Sequence, residues 1–191
     1  MEFEHLKEKT DEELVALAID FQAAFSTLID RYSDKLTWYI RQITNVSREE
    51  AEDILQETFI KAYTNINSFD PSLKFSSWIY RIAHNEVISN YRKRKARPQD
   101  DANDIDDKLV DSLVAEVDLD KEVDREFLRK HLLDILGGID MKYREVLVLR
   151  YFQDRSYKEI SDIIKKPEGT VATLINRAKK ECRKQIEKKR K

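Results

Sequence analysis

The stretch "SYKEISDIIKKPEGTVATLINRAKK", residues 156 to 180, decides the fold. Its first half has a hydroxyl at Ser156, a glutamate three residues later, and apolar residues at Tyr157, Ile160, Ile163 and Ile164. That is the spacing of one buried helix face behind a capping box. Pro167 and Gly169 are expected to stop this helix, and Thr170 to cap a second one whose buried stripe is Val171, Ile175, Ala178, Cys182 and Ile186. Ala172, Thr173, Asn176, Arg177 and Lys180 must then point elsewhere. Two helices joined this tightly form a helix-turn-helix, and the second fits the width of the DNA major groove. An ordinary helical hairpin with a solvated basic face has the same pattern, so the segment alone leaves both readings open.

The rest of the chain reads as helical too. Three glycines and three prolines fall at positions 71, 98, 137, 138, 167 and 169, leaving long stretches with no backbone breaker. Capping boxes also open helices at Thr10/Glu13 and Ser47/Glu50. After Ser47, the residues Ala51, Ile54, Leu55, Phe59, Ala62, Tyr63 and Ile66 recur at three and four. Similar stripes run through Leu14 to Tyr32, Leu36 to Ile43 and Trp78 to Tyr91, and through Phe127, Leu128, His131, Leu132 and Ile135. No strand-like alternation competes with them.

Charge is segregated. The net charge of −2 hides a stretch from Pro98 to Asp124 with eleven carboxylates and two lysines, −9, which leaves +7 for the remainder. The cations concentrate in "YRKRKAR", residues 91 to 97, and in the tail from Arg177 to Lys191. Too acidic and too poor in large apolar residues to pack, residues 98–121 are expected to be a flexible linker. The expected fold is all-α: a helical domain over 1–97, the acidic linker over 98–121, and a helix-turn-helix domain over 122–191. Chains of such sizes still bury a core.

Some chemistry is excluded. A single cysteine, Cys182, forms no internal disulfide and no zinc cluster, and is expected to be a small buried apolar residue. A helical metalloenzyme would pair carboxylates with a histidine three residues after a glutamate, and Glu2/His5 alone has that spacing. No phosphate-cradling glycine loop or Gly-x-Ser-x-Gly elbow is present. Neither catalysis nor a cofactor is expected. No apolar run suffices to span a bilayer and "MEFEHLKEKTDEEL" lacks the order of a secretory signal, so a cytoplasmic chain without membrane insertion is expected.

A second clue to an anionic partner lies in "FDPSLKFSSWIYRIAHNEVISNYRKRKAR", residues 69 to 97. Here Phe69, Phe75, Trp78, Tyr80 and Tyr91 are interleaved with Arg81, Arg92, Lys93, Arg94 and Lys95. Aromatic faces stack unpaired bases and the cations neutralise phosphates. The competing reading is that Trp78 and Tyr80 belong to the core, with Trp78 expected to serve partly as both.

These residues resemble the extracytoplasmic-function sigma factors, small promoter-recognition subunits of bacterial RNA polymerase. "AEDILQETFIKAYTNINSFD", residues 51 to 70, is similar to the family's polymerase-binding helix. "FSSWIYRIAHN", residues 75 to 85, resembles its promoter-melting segment, and "YREVLVLRYFQDRSYKEISDIIKKPEGTVATLINRAKK", residues 143 to 180, its promoter-reading domain. The resemblance implies that Asp53, Gln56 and Glu57 dock the β′ clamp helices and that the β flap is a further part of the polymerase partner. It implies that Ser68, Phe69 and Asp70 lie in the loop that captures a flipped minus-ten base, with Asn85 near the adjoining duplex. Phe75, Trp78, Tyr80, Arg81, Arg92 and Lys93 complete that interface, and Thr170, Ala172, Thr173, Asn176, Arg177 and Lys180 form the minus-thirty-five interface. An anti-sigma factor is a further implied partner, the linker would thread toward the RNA exit path, and no obligate homo-oligomer is expected. A regulator binding duplex DNA by itself is the rival reading, but it would have no use for the acidic face at Asp53 and Glu57.

The sequence departs from the family's pattern in places. Lys165 stands where a turn glycine is usual, a position at which a lysine carries a strain cost. Ala172 and Leu174 replace commonly basic residues, and Glu86 and Ser89 replace an apolar residue and an acid. Asp140 replaces a proline, at a position where it is expected to cap a helix.

Overall fold

A computed structural model describes residues 2–44, 46–94, 131–132 and 134–190. These residues fall into two compact units, the first built almost wholly before residue 95 and the second after residue 130. The expected acidic linker, 98–121, and the apolar pair Phe127 and Leu128 lie outside the described residues.

The first unit comprises α1 (Glu2–Lys7), α2 (Asp11–Ala18), α3 (Gln22–Thr44), α4 (Arg48–Thr64), a 3-10 turn (Ile66–Ser68) and α5 (Phe75–Arg94). Both capping boxes form: Thr10 and Glu13 open α2, Ser47 and Glu50 open α4. The apolar run Leu14 to Tyr32 is two helices, not one, because the amides of Asp20 and Phe21 both turn back to the Leu17 carbonyl, at 3.2 and 2.8 Å. α3 then runs unbroken through the Leu36 to Ile43 stripe. Leu14, Leu28, Leu36, Tyr39, Phe75, Ile79 and Tyr80 are fully buried, and Tyr39 packs on Tyr80 with ring centres 5.1 Å apart. Along α4, Ala51, Ile54, Phe59 and Ala62 turn inward, while Tyr63 is exposed.

In the second unit helical residues 131–132 and 134–137 precede α6 (Met141–Leu147), a π-helical turn (Val148–Phe152), α7 (Tyr157–Ile164) and α8 (Glu168–Arg190). Asp140 caps α6 by accepting from the Lys142 amide at 3.1 Å, and the Ser156/Glu159 box opens α7. α8 packs along α6 and buries Val171, Ile175, Ala178, Cys182 and Ile186. Its far end is tied back by Gln185 donating to the Gly138 carbonyl at 2.9 Å and by the Lys189–Asp134 ion pair. Among the described residues no helix is long and apolar enough to cross a membrane.

Candidate nucleic-acid interface

Three surfaces collect the residues singled out from the sequence. The first is the outer face of α4. Because Ala51, Ile54, Thr58 and Ala62 point inward, Asp53, Gln56 and Glu57 are left exposed together, at the spacing that puts side chains on one helix face. Next to them Lys61 bridges two helices: its ammonium lies 3.5 Å from Glu57 and 2.8 Å from Glu86 of α5. The hydrogen bond from Lys61 to Glu86 holds the ammonium above its usual range. Asp53, Glu57, Lys61, Glu86, Asn90 and Lys93 line one groove. Lys61 was not singled out, and Glu86 only as a departure, because their contact spans 25 residues of sequence.

The second surface is the loop between α4 and α5. Ser68 donates to the Asn65 carbonyl at 2.7 Å, and Asn65 donates to the Lys61 carbonyl at 2.8 Å, which pins the 3-10 turn to the end of α4. Asp70 accepts from the Ser72 amide at 2.9 Å, and that bond holds its carboxyl below the usual carboxylate range. Ser68 and Asp70 are exposed and Phe69 between them is not.

The expected base-stacking platform is not an open surface. Phe69, Phe75, Trp78 and Tyr80 are 8%, 1%, 6% and 0% exposed, so none offers a ring face to solvent. The rings of Phe69, Phe75 and Trp78 contact one another edge-on or tilted at 5.5 to 5.9 Å, an arrangement that favours aromatic groups as core. Trp78, expected to be partly both, is core. Of the five aromatics in the segment, Tyr91 keeps an exposed ring, beside exposed Arg92 and Lys93. Arg81 is half-buried and Asn85 exposed.

The third surface is α8. Thr170, Thr173, Asn176, Arg177 and Lys180 are exposed along one side, with Ala172 half-buried. Thr170 is not the cap expected: α8 begins at Glu168, and the Pro167 carbonyl accepts from the amides of Thr170 and Val171 at 2.8 and 3.0 Å. Thr170 is therefore the third residue of the helix, and Gly169 lies within it. The stop of α7 is supplied instead by Lys165, in the left-handed region at φ 52°, ψ 50°. Ser161 braces the turn by donating to the Lys166 carbonyl at 2.6 Å. The basic tail is partly spent, since Lys184 pairs with Glu181 at 2.8 Å and Lys189 with Asp134. Burial pushes the Cys182 thiol up to about 12. Among the described residues no group of three histidines, cysteines or carboxylates is placed to hold a metal.

Comparison with known proteins agrees with both units. The family model described as Sigma-70 region 2 matches residues 28–97, and that described as Sigma-70, region 4 matches residues 131–182. The chain is 37% identical over 179 residues to the ECF RNA polymerase sigma factor SigW of Bacillus subtilis, covering 86% of this chain and 90% of that protein. To the ECF RNA polymerase sigma-E factor of Haemophilus influenzae it is 33% identical over 161 residues, covering 82% and 84%. Among solved structures it shares its fold with CnrH in complex with the cytosolic domain of CnrY, at a TM-score of 0.69 and 23% identity, covering 94% and 98%. It also resembles the sigma factor RpoE in complex with the anti-sigma factor NepR from Bartonella quintana, at a TM-score of 0.63 and 19% identity, covering 85% and 96%.

Proposed function

The chain belongs to the extracytoplasmic-function sigma factors, which direct bacterial RNA polymerase to promoters, and from that premise we propose how its three surfaces divide the work. The outer face of α4 docks the polymerase: Asp53, Gln56 and Glu57 meet the β′ clamp helices, and the second unit meets the β flap. α8 enters the major groove at the minus-thirty-five element, where Thr170, Thr173, Asn176 and Arg177 face base edges and Lys180 meets phosphate. Ala172, half-buried, has little to offer a base beyond its methyl group. The loop at Ser68 and Asp70 holds a base taken out of the minus-ten duplex. Unpairing costs a few kcal/mol, and hydrogen bonds to the edge of the flipped base offset it.

With Phe69 buried, that capture relies on the polar rim of the loop over a rigid aromatic floor rather than on open stacking. Asn85, Arg81, Arg92 and Lys93 carry the adjoining backbone, which makes binding dependent on salt. Polymerase supplies the bond-forming chemistry; this chain supplies address and strand separation, in the cytoplasm where the polymerase works. The structural neighbours are held in complexes with CnrY and with an anti-sigma factor, and a partner of that kind is part of the proposal. Residues 98–121 carry the charge of a nucleic-acid mimic and connect the two functions.

The observation that carries this reading is the exposed face of α4 with its two carboxylates, Asp53 and Glu57, beside Gln56, which a regulator acting alone on duplex DNA would not need. The test is transcription in vitro with bacterial core polymerase on a promoter library. Defined start sites are expected from the wild type, and loss of both core binding and initiation from Asp53→Ala with Glu57→Ala. Core affinity unchanged by the double substitution refutes the docking face.

A further inference from the structure

We infer that Glu12, on α2, is a positioning residue for base capture by the loop over 68–74, an inference that rests on the role proposed for that loop. α5 starts at Phe75, directly after the loop, and the first amides of a helix have no partner within it. Glu12 Oε1 accepts from the Phe75 amide at 3.1 Å, across 63 residues of sequence. A carboxylate there answers both the open donor and the positive end of the helix dipole.

Glu12 is itself held. Its neighbour Asp11 accepts from Arg31 at 2.7 Å and from the Tyr32 hydroxyl, both on α3. The Thr10/Glu13 box fixes the start of the same turn. The first turn of α2 is thus a bracket fastened to α3 by Asp11 and to α5 by Glu12. It shares a surface hollow with Pro71, Ser72, Leu73, Lys74 and Ser76.

The bracket acts on the loop through the rings. Phe75 packs on Phe69 with centroids 5.9 Å apart, and Phe69 also packs on Trp78 at 5.5 Å. Ser68 and Asp70 flank Phe69 on either side. A shift of the Phe75 backbone therefore moves the two polar groups that would read the base. Such groups must be held to within about 0.5 Å of their productive geometry. A carboxylate that merely stabilised the helix would raise the melting temperature and leave base capture untouched, so the two roles separate by experiment.

The full chain is assembled with bacterial core polymerase and titrated against a single-stranded non-template oligonucleotide spanning the minus-ten element of a promoter recovered from the library. One position at a time is made abasic, and affinity is read by fluorescence anisotropy well below the melting temperature. In the wild type one abasic position is expected to weaken binding about tenfold, the size of one or two hydrogen bonds to a base edge. Glu12→Ala is expected to bind the intact strand roughly tenfold more weakly and to lose the sensitivity at that position, while Glu12→Gln, which keeps an acceptor, stays within about twofold of wild type. If the alanine variant does not fold, Glu12→Asp carries the same test, because it draws the carboxylate back by one methylene and must lose the same sensitivity. An abasic profile unchanged in Glu12→Ala or Glu12→Asp, whatever their melting temperatures, overturns the inference alone. A profile already flat in the wild type, and flat in Asp70→Ala, overturns the loop's role and the inference with it.

Discussion

Lys165→Gly is expected to stabilise the second unit. Lys165 closes α7 at φ 52°, ψ 50°, where an L side chain crowds the following carbonyl. That conformation costs a non-glycine residue about 1–2 kcal/mol. Glycine removes the crowding but gains freedom in the unfolded chain, which returns about 0.5–1 kcal/mol. The balance is a gain of about 1 kcal/mol, or roughly 4–8 °C in the melting temperature of a unit this small. The side chain is exposed, so its removal alone should cost little. Lys165→Ala, which keeps the crowding, should therefore match the wild type, and Lys165→Asn should fall between. Both tryptophans, Trp38 and Trp78, lie in the first unit, so tryptophan fluorescence follows that unit alone. Far-UV circular dichroism follows both, and the difference between the two urea curves isolates the second. If glycine gives no more stability than alanine, strain at Lys165 is not stored and the reasoning fails.

Three further outcomes follow from contacts in the first unit. Phe75→Ala should cost about 3–5 kcal/mol, because it empties the centre of a closed aromatic cluster, and a drop in the tryptophan melting transition would show it. Arg31→Ala should cost about 2 kcal/mol, since the guanidinium bonds Asp11 and the carbonyls of Lys7 and Lys9, each a charge-assisted contact between α3 and the N-terminal turns. The backbone bond from Thr10 and, next, its hydroxyl hold the Glu13 carboxyl below the usual range. The folded state therefore binds a proton less readily than the unfolded one. The resulting stability is present above the unfolded glutamate pKa and is lost as pH falls below it and through the lower folded value. Glu13→Gln should flatten that acid limb of the pH–stability curve.

What could be read from the sequence was what neighbours in sequence decide. All three capping boxes formed because hydroxyl and glutamate sit three residues apart on one turn. The stripe of α8 is buried as its spacing requires. That helix starts before Thr170 because its first backbone bonds already run from the Thr170 and Val171 amides to the Pro167 carbonyl, and backbone bonds of this kind leave no mark in the spacing of side chains. Aromatic residues among cations fit a stacking surface and a core equally well by spacing. Three-dimensional packing put Phe75, Trp78 and Tyr80 inside and left Tyr91 out. Glu12 on Phe75 and Lys61 on Glu86 join residues far apart in the chain, and no periodicity announces such pairs.

Cys182 faces inward from α8, wholly covered. A thiol held near 12 is almost entirely protonated at neutral pH, and only the thiolate attacks a maleimide. The chain thus comes with a silent background for site-selective dye attachment. One cysteine introduced at an exposed position in each unit would take a fluorophore while the native sulfur stays dark. Energy transfer between the pair would then read the span from one unit to the other, first alone and then on polymerase, without any native residue having to be removed.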